Sequence, residues 1–112
     1  DFDLLVNVSD MSKIYNNSSI AIGAPGLSHM ERLYFGIPTI LIPQNDIHTS
    51  IVDKWVDIGC AIKSKNSISL IEKKIFSIIE NSNIRNNLIK NGTSLVDGKG
   101  ALRIAKAILK LV

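Results

Sequence analysis

Residues 18–42 read SSIAIGAPGLSHMERLYFGIPTILI, two apolar segments separated by a turn and an amphipathic stretch. The spacing predicts a strand over Ser19–Ile22, a helix over Ser28–Phe35 and a strand over Pro38–Ile42. Gly36 is placed to end the helix, because glycine tolerates the left-handed conformation that helix C-termini adopt. The second strand is apolar on both faces, as expected for a central strand of a parallel sheet. The stretch therefore predicts a strand–helix–strand unit of an α/β fold.

The rest of the chain continues this alternation of short strands and amphipathic helices. Its apolar periodicity predicts a strand over Leu4–Val8, a short helix capped by Ser9 or Asp10, a helix over Ile47–Ile58, a strand over Ala61–Ile62, and helices over Ser69–Glu80, Asn83–Asn91 and Gly100–Leu111. Apolar stripes are expected to face the core, among them Ile47, Ile51, Trp55 and Ile58 on one helix and Ile104, Ile108 and Leu111 on the last. We predict a single α/β domain over residues 1–112, with a Rossmann-like parallel sheet flanked by helices.

Composition narrows the function classes. The 112 residues suffice for one ordinary domain, and 46% of them are hydrophobic, enough to bury a core. The net charge of +3 is dispersed and only 5% of the residues are aromatic, a pattern that disfavours a nucleic-acid interface. No apolar run approaches the roughly 20 residues of a spanning helix, so no transmembrane segment is expected. The lone Cys60 fits a reducing cytoplasm, and the absence of a starting Met suggests a piece of a longer chain.

Two loops are candidates for ligand binding. Parallel sheets bind ligands at the carboxyl ends of their strands, where loops lead into helices. Gly23–Leu27 and Pro43–Asp46 are such loops, and they follow consecutive strands. We therefore expect them to lie side by side.

The first loop allows two interpretations. Gly26 removes a side chain where a ligand could approach, and the amides at the start of the next helix could hold a phosphate. Alternatively, Ser28 and Glu31 have the spacing of a capping box, in which both side chains satisfy the helix's own amides. Spacing alone favours the capping box.

The second loop gathers polar groups before another helix. Asp46 is expected to be the N-cap, and His48 to lie in the first turn, facing the first loop. A solvated side chain is the default expectation for both His48 and His29. The segment Asp97–Gly100 lacks the spacing of a phosphate-binding loop and is expected to connect to the last helix. No metal-ligand spacing occurs, so no metal and no cofactor are expected.

Three segments together resemble a known enzyme group: residues 18–42, QNDIHTSIVDKWVDIGCAI at residues 44–62, and LVDGKGALRIAKAIL at residues 95–109. They resemble the C-terminal half of GT-B nucleotide-sugar enzymes, above all PseG-type UDP-sugar hydrolases of the pseudaminic acid pathway, with SpsG-like and MurG-like proteins nearby. That group shows Gly-Ala-x-Gly-x-Thr-x-x-Glu, then Gly-Leu-Pro, then a loop with Asn-Gln. The Asp-Gly-Lys-Gly-Ala-x-Arg ending favours the PseG type.

The resemblance implies roles for six residues, which are Gly26, Leu27, Ser28, Glu31, Asn45 and His48. Gly26 would face the diphosphate, the Leu27 backbone would lie near the uracil, and the hydroxyl and amide of Ser28 would meet a phosphate. Glu31 would bind the ribose hydroxyls, which reverses the preference for capping. His48, which replaces the family's Gln, would lie beside the donor sugar or its phosphate, and Asn45 would be a further substrate-binding residue.

The chain departs from the family pattern in several places. Pro25 replaces a frequent Gly, and Leu27 stands where the PseG type usually has Ser. The resemblance also implies a missing N-terminal half that supplies the catalytic His. The implied activity is hydrolysis of a UDP-linked amino sugar, in nonulosonic acid or surface polysaccharide biosynthesis. The alternatives are a MurG-like transferase domain and a non-catalytic interaction module.

Overall fold

The computed structural model describes every residue from Asp1 to Val112. Its elements are α1 (Ser12–Asn16), β1 (Ala21–Gly23), α2 (Leu27–Tyr34), β2 (Thr39–Leu41), α3 (Asp46–Asp57), β3 (Ile62–Lys63), α4 (Ile68–Glu80), α5 (Ser82–Leu95) and α6 (Gly100–Leu109). The strands form one parallel sheet in the order β1-β2-β3. The predicted α/β class and Rossmann-like arrangement are confirmed, and the arrangement is consistent with a GT-B C-terminal domain.

Strand β2 is the centre of the fold, since all three of its residues are buried. Ile40 packs with Ile78 of α4 and Leu88 of α5 on one face of the sheet. On the other face, Leu41 packs with Val52 of α3 and with Ala61. Neighbouring strand residues point to opposite faces, so this one short strand anchors helices on both sides.

Gly36 ends α2 as predicted. Its φ of 69° is left-handed, and its amide donates to the carbonyl of Leu33 at 3.1 Å. The amide of Ile37 donates to the carbonyl of Arg32 at 3.0 Å. These two bonds form a Schellman motif, which satisfies carbonyls that the helix end leaves free.

The predicted strand over Leu4–Val8 is wrong. The segment forms no strand, and Leu4 and Val6 are 80% and 67% exposed. Asn7 has a φ of 52°, which breaks the extended backbone. An apolar run becomes a buried strand only where a neighbouring strand accepts its hydrogen bonds and other elements cover it, and no element of the chain does so here.

Two predicted core-facing stripes are also wrong, apart from Trp55, which packs against the cluster of Leu41, Val52 and Ala61 as predicted. On α3 the buried residue is Val52, whereas Ile47 and Ile58 are 73% and 53% exposed and Trp55 is only half-buried. On α6 no residue is buried. Periodicity defines a stripe, but burial requires a second element to cover it. None of the helices combines the length and the apolar character needed to cross a membrane.

Close packing of α2 on α5 depends on Gly92. A Cβ at this position would lie 2.9 Å from Cδ2 and 3.4 Å from Cα of the buried Leu33. We expect Gly92→Val to lower the free energy of unfolding by about 1–3 kcal/mol, because overpacking forces neighbouring atoms to move. Gly100→Val is the matched control, since a Cβ there meets nothing within 4 Å. Urea unfolding measures both, and equal effects would contradict the prediction.

Candidate functional site

The two predicted loops leave the same edge of the sheet. Strands β1 and β2 pair in parallel with Gly23 opposite Leu41, and the amide of Ile42 donates to the carbonyl of Gly23 at 3.0 Å. The segments Ala24–Gly26 and Pro43–Asn45 therefore start side by side, as expected. We call these two segments and the first turns of α2 and α3 the candidate site.

The start of α2 has no side-chain cap. The N-cap is Gly26, in extended conformation, and the helix begins at Leu27. Ser28 is therefore the second helical residue, and its hydroxyl makes no hydrogen bond. The capping box that spacing alone favoured does not form. The Gly26 amide donates to the Ala24 carbonyl at 3.0 Å, but the amides of Leu27 and Ser28 have no acceptor. Two donors at the positive end of the helix dipole are thus free.

Glu31 is held by another helix. Its Oε2 accepts a hydrogen bond from the hydroxyl of Tyr15 in α1 at 2.8 Å, while its side chain remains exposed. Burial, followed by the hydrogen bond and charge of Glu31, raises the pKa of Tyr15. Tyr15 orients one carboxylate oxygen and leaves the other, Oε1, without a hydrogen bond. The sequence presented Tyr15 only as an apolar helix residue.

The start of α3 is capped by Asn45, not by Asp46 as predicted. The Asn45 Oδ1 accepts from the amide of His48 at 2.9 Å, and Asp46 is the first helical residue. Asn and Asp cap equally well, so the position where the backbone enters the helix decides between them. Nδ1 of the half-buried His48 accepts from the amide of Gln44 at 3.3 Å, which leaves Nε2 without a hydrogen bond.

The candidate site is an open surface. Leu27 is 84% exposed, and a Cβ added at Gly26 would meet nothing within 4 Å. No side-chain hydrogen bond joins the first loop to the second. The surface grooves of the chain are lined by residues outside the two loops. The structure brings the two helix starts to one edge and leaves the space above them free.

His29 and Arg32 lie beneath the first loop, although the sequence predicted a solvated His29. That prediction is wrong, because the His29 ring is fully buried. The ring lies edge-on to the ring of Trp55, with the two ring centroids 5.0 Å apart, and neither of its nitrogens has a hydrogen-bond partner. Burial, followed by the charge of Arg32, lowers the pKa of His29 to about 4. Arg32 was missed, yet its spacing from His29 and Leu33 places all three on one helix face.

Asp97–Gly100 is a connector, as predicted. The Asp97 carboxylate accepts from Arg103 Nη1 and Nη2 at 2.7 and 3.1 Å, and from the Lys99 amide at 2.9 Å. These bonds, with that of Arg103 first, lower the pKa of Asp97 to about 2. Gly98 has a φ of 74°, and a Cβ there would lie 2.9 Å from Cε2 of Tyr34. This motif therefore has a structural role at the start of α6.

Comparison with known proteins gives a distant relationship. No protein-family model matches the chain. The chain is similar to the spore coat polysaccharide biosynthesis protein SpsG of Bacillus subtilis (strain 168). The two are 28% identical over 113 residues, which cover 97% of this chain and 33% of SpsG. The chain thus spans about a third of the length of this relative.

The similarity to SpsG extends over nearly the whole chain. It therefore includes both loops of the candidate site and the Asp97–Gly100 connector. The relationship to a polysaccharide-biosynthesis protein agrees with the coarse family resemblance of the sequence, and the roles of the single residues are taken up as proposals.

Proposed function

We propose that this chain is the nucleotide-binding half of an enzyme that hydrolyses a UDP-linked amino sugar and releases UDP. The observation that carries the proposal is the uncapped start of α2, where the amides of Leu27 and Ser28 are free beside the exposed Glu31. The name of SpsG refers to spore coat polysaccharide biosynthesis, which supports a reaction in surface polysaccharide biosynthesis. Nonulosonic acid biosynthesis is the finer part of this proposal and rests on the sequence resemblance. A further domain of the same enzyme would supply the catalytic group.

In this proposal the first loop binds the diphosphate and the base. Gly26 gives the phosphates close access to the backbone, because no side chain fills the open space above it. The amides of Leu27 and Ser28 donate to phosphate oxygens, with the Ser28 hydroxyl as an additional donor. The Leu27 backbone lies beside the uracil.

Glu31 binds the ribose in this proposal. A carboxylate accepts hydrogen bonds from two neighbouring hydroxyls, and the Oε1 that Tyr15 leaves free is available for them. Asn45 and His48 contact the sugar or its phosphate. Nε2 of His48 has no hydrogen-bond partner within the chain and is therefore available for this contact.

The proposed hydrolysis depends on stabilising the negative charge that develops on the leaving group. As the bond to the sugar breaks, charge accumulates on the leaving diphosphate. Preorganised amide donors aimed at that charge stabilise the transition state, and the loss of one such donor typically costs about 3–4 kcal/mol. Water is the attacking group in the proposed hydrolysis.

Sugar transfer is the second candidate, because the polysaccharide-biosynthesis name of SpsG fits a transferase equally well. In that case a hydroxyl of an acceptor replaces water. UDP release from a UDP-amino sugar by the full-length protein separates the two. Release without any acceptor supports hydrolysis, and release that requires an added acceptor supports transfer.

Calorimetric titration of the full-length protein with UDP, with CMP as the control, tests the binding site. We expect saturable binding of UDP only. Glu31→Ala should weaken it by about 10- to 100-fold, the effect of about 1.5–3 kcal/mol for lost hydrogen bonds to a charged group. It should also abolish any preference for UDP over 2′-deoxy-UDP.

Glu72→Ala is the matched control, because Glu72 is exposed on α4, away from the candidate site. It should leave the UDP affinity unchanged. Equal affinity of the Glu31→Ala variant and the unmodified protein would contradict the ribose role. No binding of UDP at millimolar concentration would overturn the proposed function and favour an interaction module.

A further inference from the structure

Arg32 carries a buried positive charge with no ion-pair partner. Arg32 is only 8% exposed, and neither salt bridge of the chain involves it. Nη2 donates to the carbonyl of Ala24 at 3.0 Å, and Nε has no partner. Charged groups are almost never buried unless they are paired, so this arrangement requires an explanation.

The guanidinium lies directly against the first loop of the candidate site. A Cβ added at Gly23 would be 3.0 Å from Nη1 and 3.3 Å from Cζ and Nη2 of Arg32. A side chain at position 23 would therefore require the guanidinium to shift by a few tenths of an ångström. Through the bond to Ala24, Arg32 also fixes the loop two residues before the N-cap of α2.

No anion within the chain is in salt-bridge contact with this charge. The buried neighbour His29 has no hydrogen-bond partner, and its low pKa keeps it neutral above about pH 4. Burial lowers the pKa of Arg32, and the charges of Tyr15 and Glu31 oppose this only in part. The Glu31 carboxylate is exposed and accepts its hydrogen bond from Tyr15. Packing therefore holds the positive charge beneath the loop. An anion bound above the loop would be attracted to it.

We propose that Arg32 is a positioning residue for nucleotide binding: it fixes the first loop through Ala24 and holds a positive charge beneath it that the phosphates of the ligand compensate. The inference rests on the proposed function and adds the residue that favours phosphorylated ligands over the nucleoside alone. The Gly23 backbone separates the guanidinium from the open surface, so its effect is electrostatic and conformational.

The test compares UDP with uridine, which has the same base and ribose but no phosphate, in titrations of the full-length protein. Arg32→Gln removes the charge and, because its side chain is two bonds shorter, also the hydrogen bond to Ala24. It should lose at least 10-fold in UDP affinity and less than 2-fold in uridine affinity. Arg32→Lys keeps the charge and should recover part of the UDP affinity. Added salt should weaken UDP binding less in Arg32→Gln than in the unmodified protein.

Arg85→Gln is the matched control. Arg85 is a second arginine that donates to backbone carbonyls, those of Ile78 and Ile79, at 3.0 and 2.9 Å, away from the first loop. Its replacement should leave the UDP affinity within 2-fold. If Arg32→Gln fails to fold, Gly23→Ala takes its place, because the added methyl group would lie 3.0 Å from Nη1 and requires the guanidinium to shift, while every charge is retained. UDP should again lose more affinity than uridine.

Three results would overturn the inference. In the first, a folded Arg32→Gln variant, or the Gly23→Ala variant that replaces it, binds UDP within 2-fold of the unmodified protein. This result leaves the proposed function intact and removes the role of Arg32. Equal losses for UDP and uridine assign Arg32 to general support of the loop. Absence of UDP binding in the unmodified protein removes the proposed function and this inference together.

Discussion

Replacement of Ile40 by alanine is expected to lower the free energy of unfolding by about 2–5 kcal/mol. Ile40 is fully buried in the central strand, between Ile78 and Leu88, and removal of its outer carbons leaves a cavity that these helices cannot close without moving. Domains are stable by only about 5–15 kcal/mol, so this single change removes a large share of the total. Urea unfolding followed by circular dichroism measures it.

Ile68→Ala is the matched control for this change. The same atoms are removed at a position that is 80% exposed, at the start of α4. The expected change there is within about 0.5 kcal/mol. A loss below 1 kcal/mol for Ile40→Ala would show that the sheet is not the centre of the core.

Acidification from pH 6.5 to pH 4 is expected to remove about 3 kcal/mol of stability through His29. Burial, followed by the charge of Arg32, lowers the pKa of His29 from 6.5 to about 4 in the folded protein. In this window the unfolded chain binds the proton and the folded chain does not, so stability falls as the pH falls. Well above pH 6.5, His29 is unprotonated in both states and the contribution is complete.

The carboxyl groups of Asp10 and Asp97 titrate in a separate window. Their pKa values are lowered from 3.8 in the folded protein, so their contributions are lost only as the pH falls below that value. For Asp10 the main cause is the hydrogen bond from Ser12, and for Asp97 that from Arg103. A loss of stability between pH 6.5 and pH 4 therefore identifies the histidine.

Unfolding of His29→Leu at several pH values tests the assignment. Leucine fills a similar volume without a titrating group, and it removes two buried nitrogens that have no partner. The dependence on pH between 6.5 and 4 should become shallow. His48→Gln removes the other histidine, keeps His29 and should retain the loss. A full loss in His29→Leu would contradict the prediction.

Much of the fold could be predicted because its signals are local. Gly36 ends α2 by a Schellman motif, which requires only a residue that tolerates a φ of 69°. The apolar strand over Pro38–Ile42 was predicted to be central, and β2 is buried throughout. The parallel order of the strands follows from their alternation with helices, and it places the two loops at one edge.

The sequence was sufficient to locate the candidate site, but not to predict where its helices begin and which residues cap them. A helix start that lies one residue earlier than predicted places Ser28 inside α2, so the capping box does not form and two amides are free. Asn45 and Asp46 are equivalent caps in composition, and only the backbone path selects Asn45. This shift of the helix start by one residue removes the side-chain cap and leaves the two amides available to an anion.

By itself, the sequence determined the class of fold, the order of its elements from α1 onward and the edge where the loops meet, because periodicity and turn residues act over a few neighbouring positions. The tertiary structure alone decided which side chains those elements cover. It buried His29 and Arg32, joined Tyr15 to Glu31 across 16 positions, and left the apolar stripe of α6 exposed. Burial and hydrogen bonding between distant residues depend on how whole elements pack, and no local pattern encodes that packing.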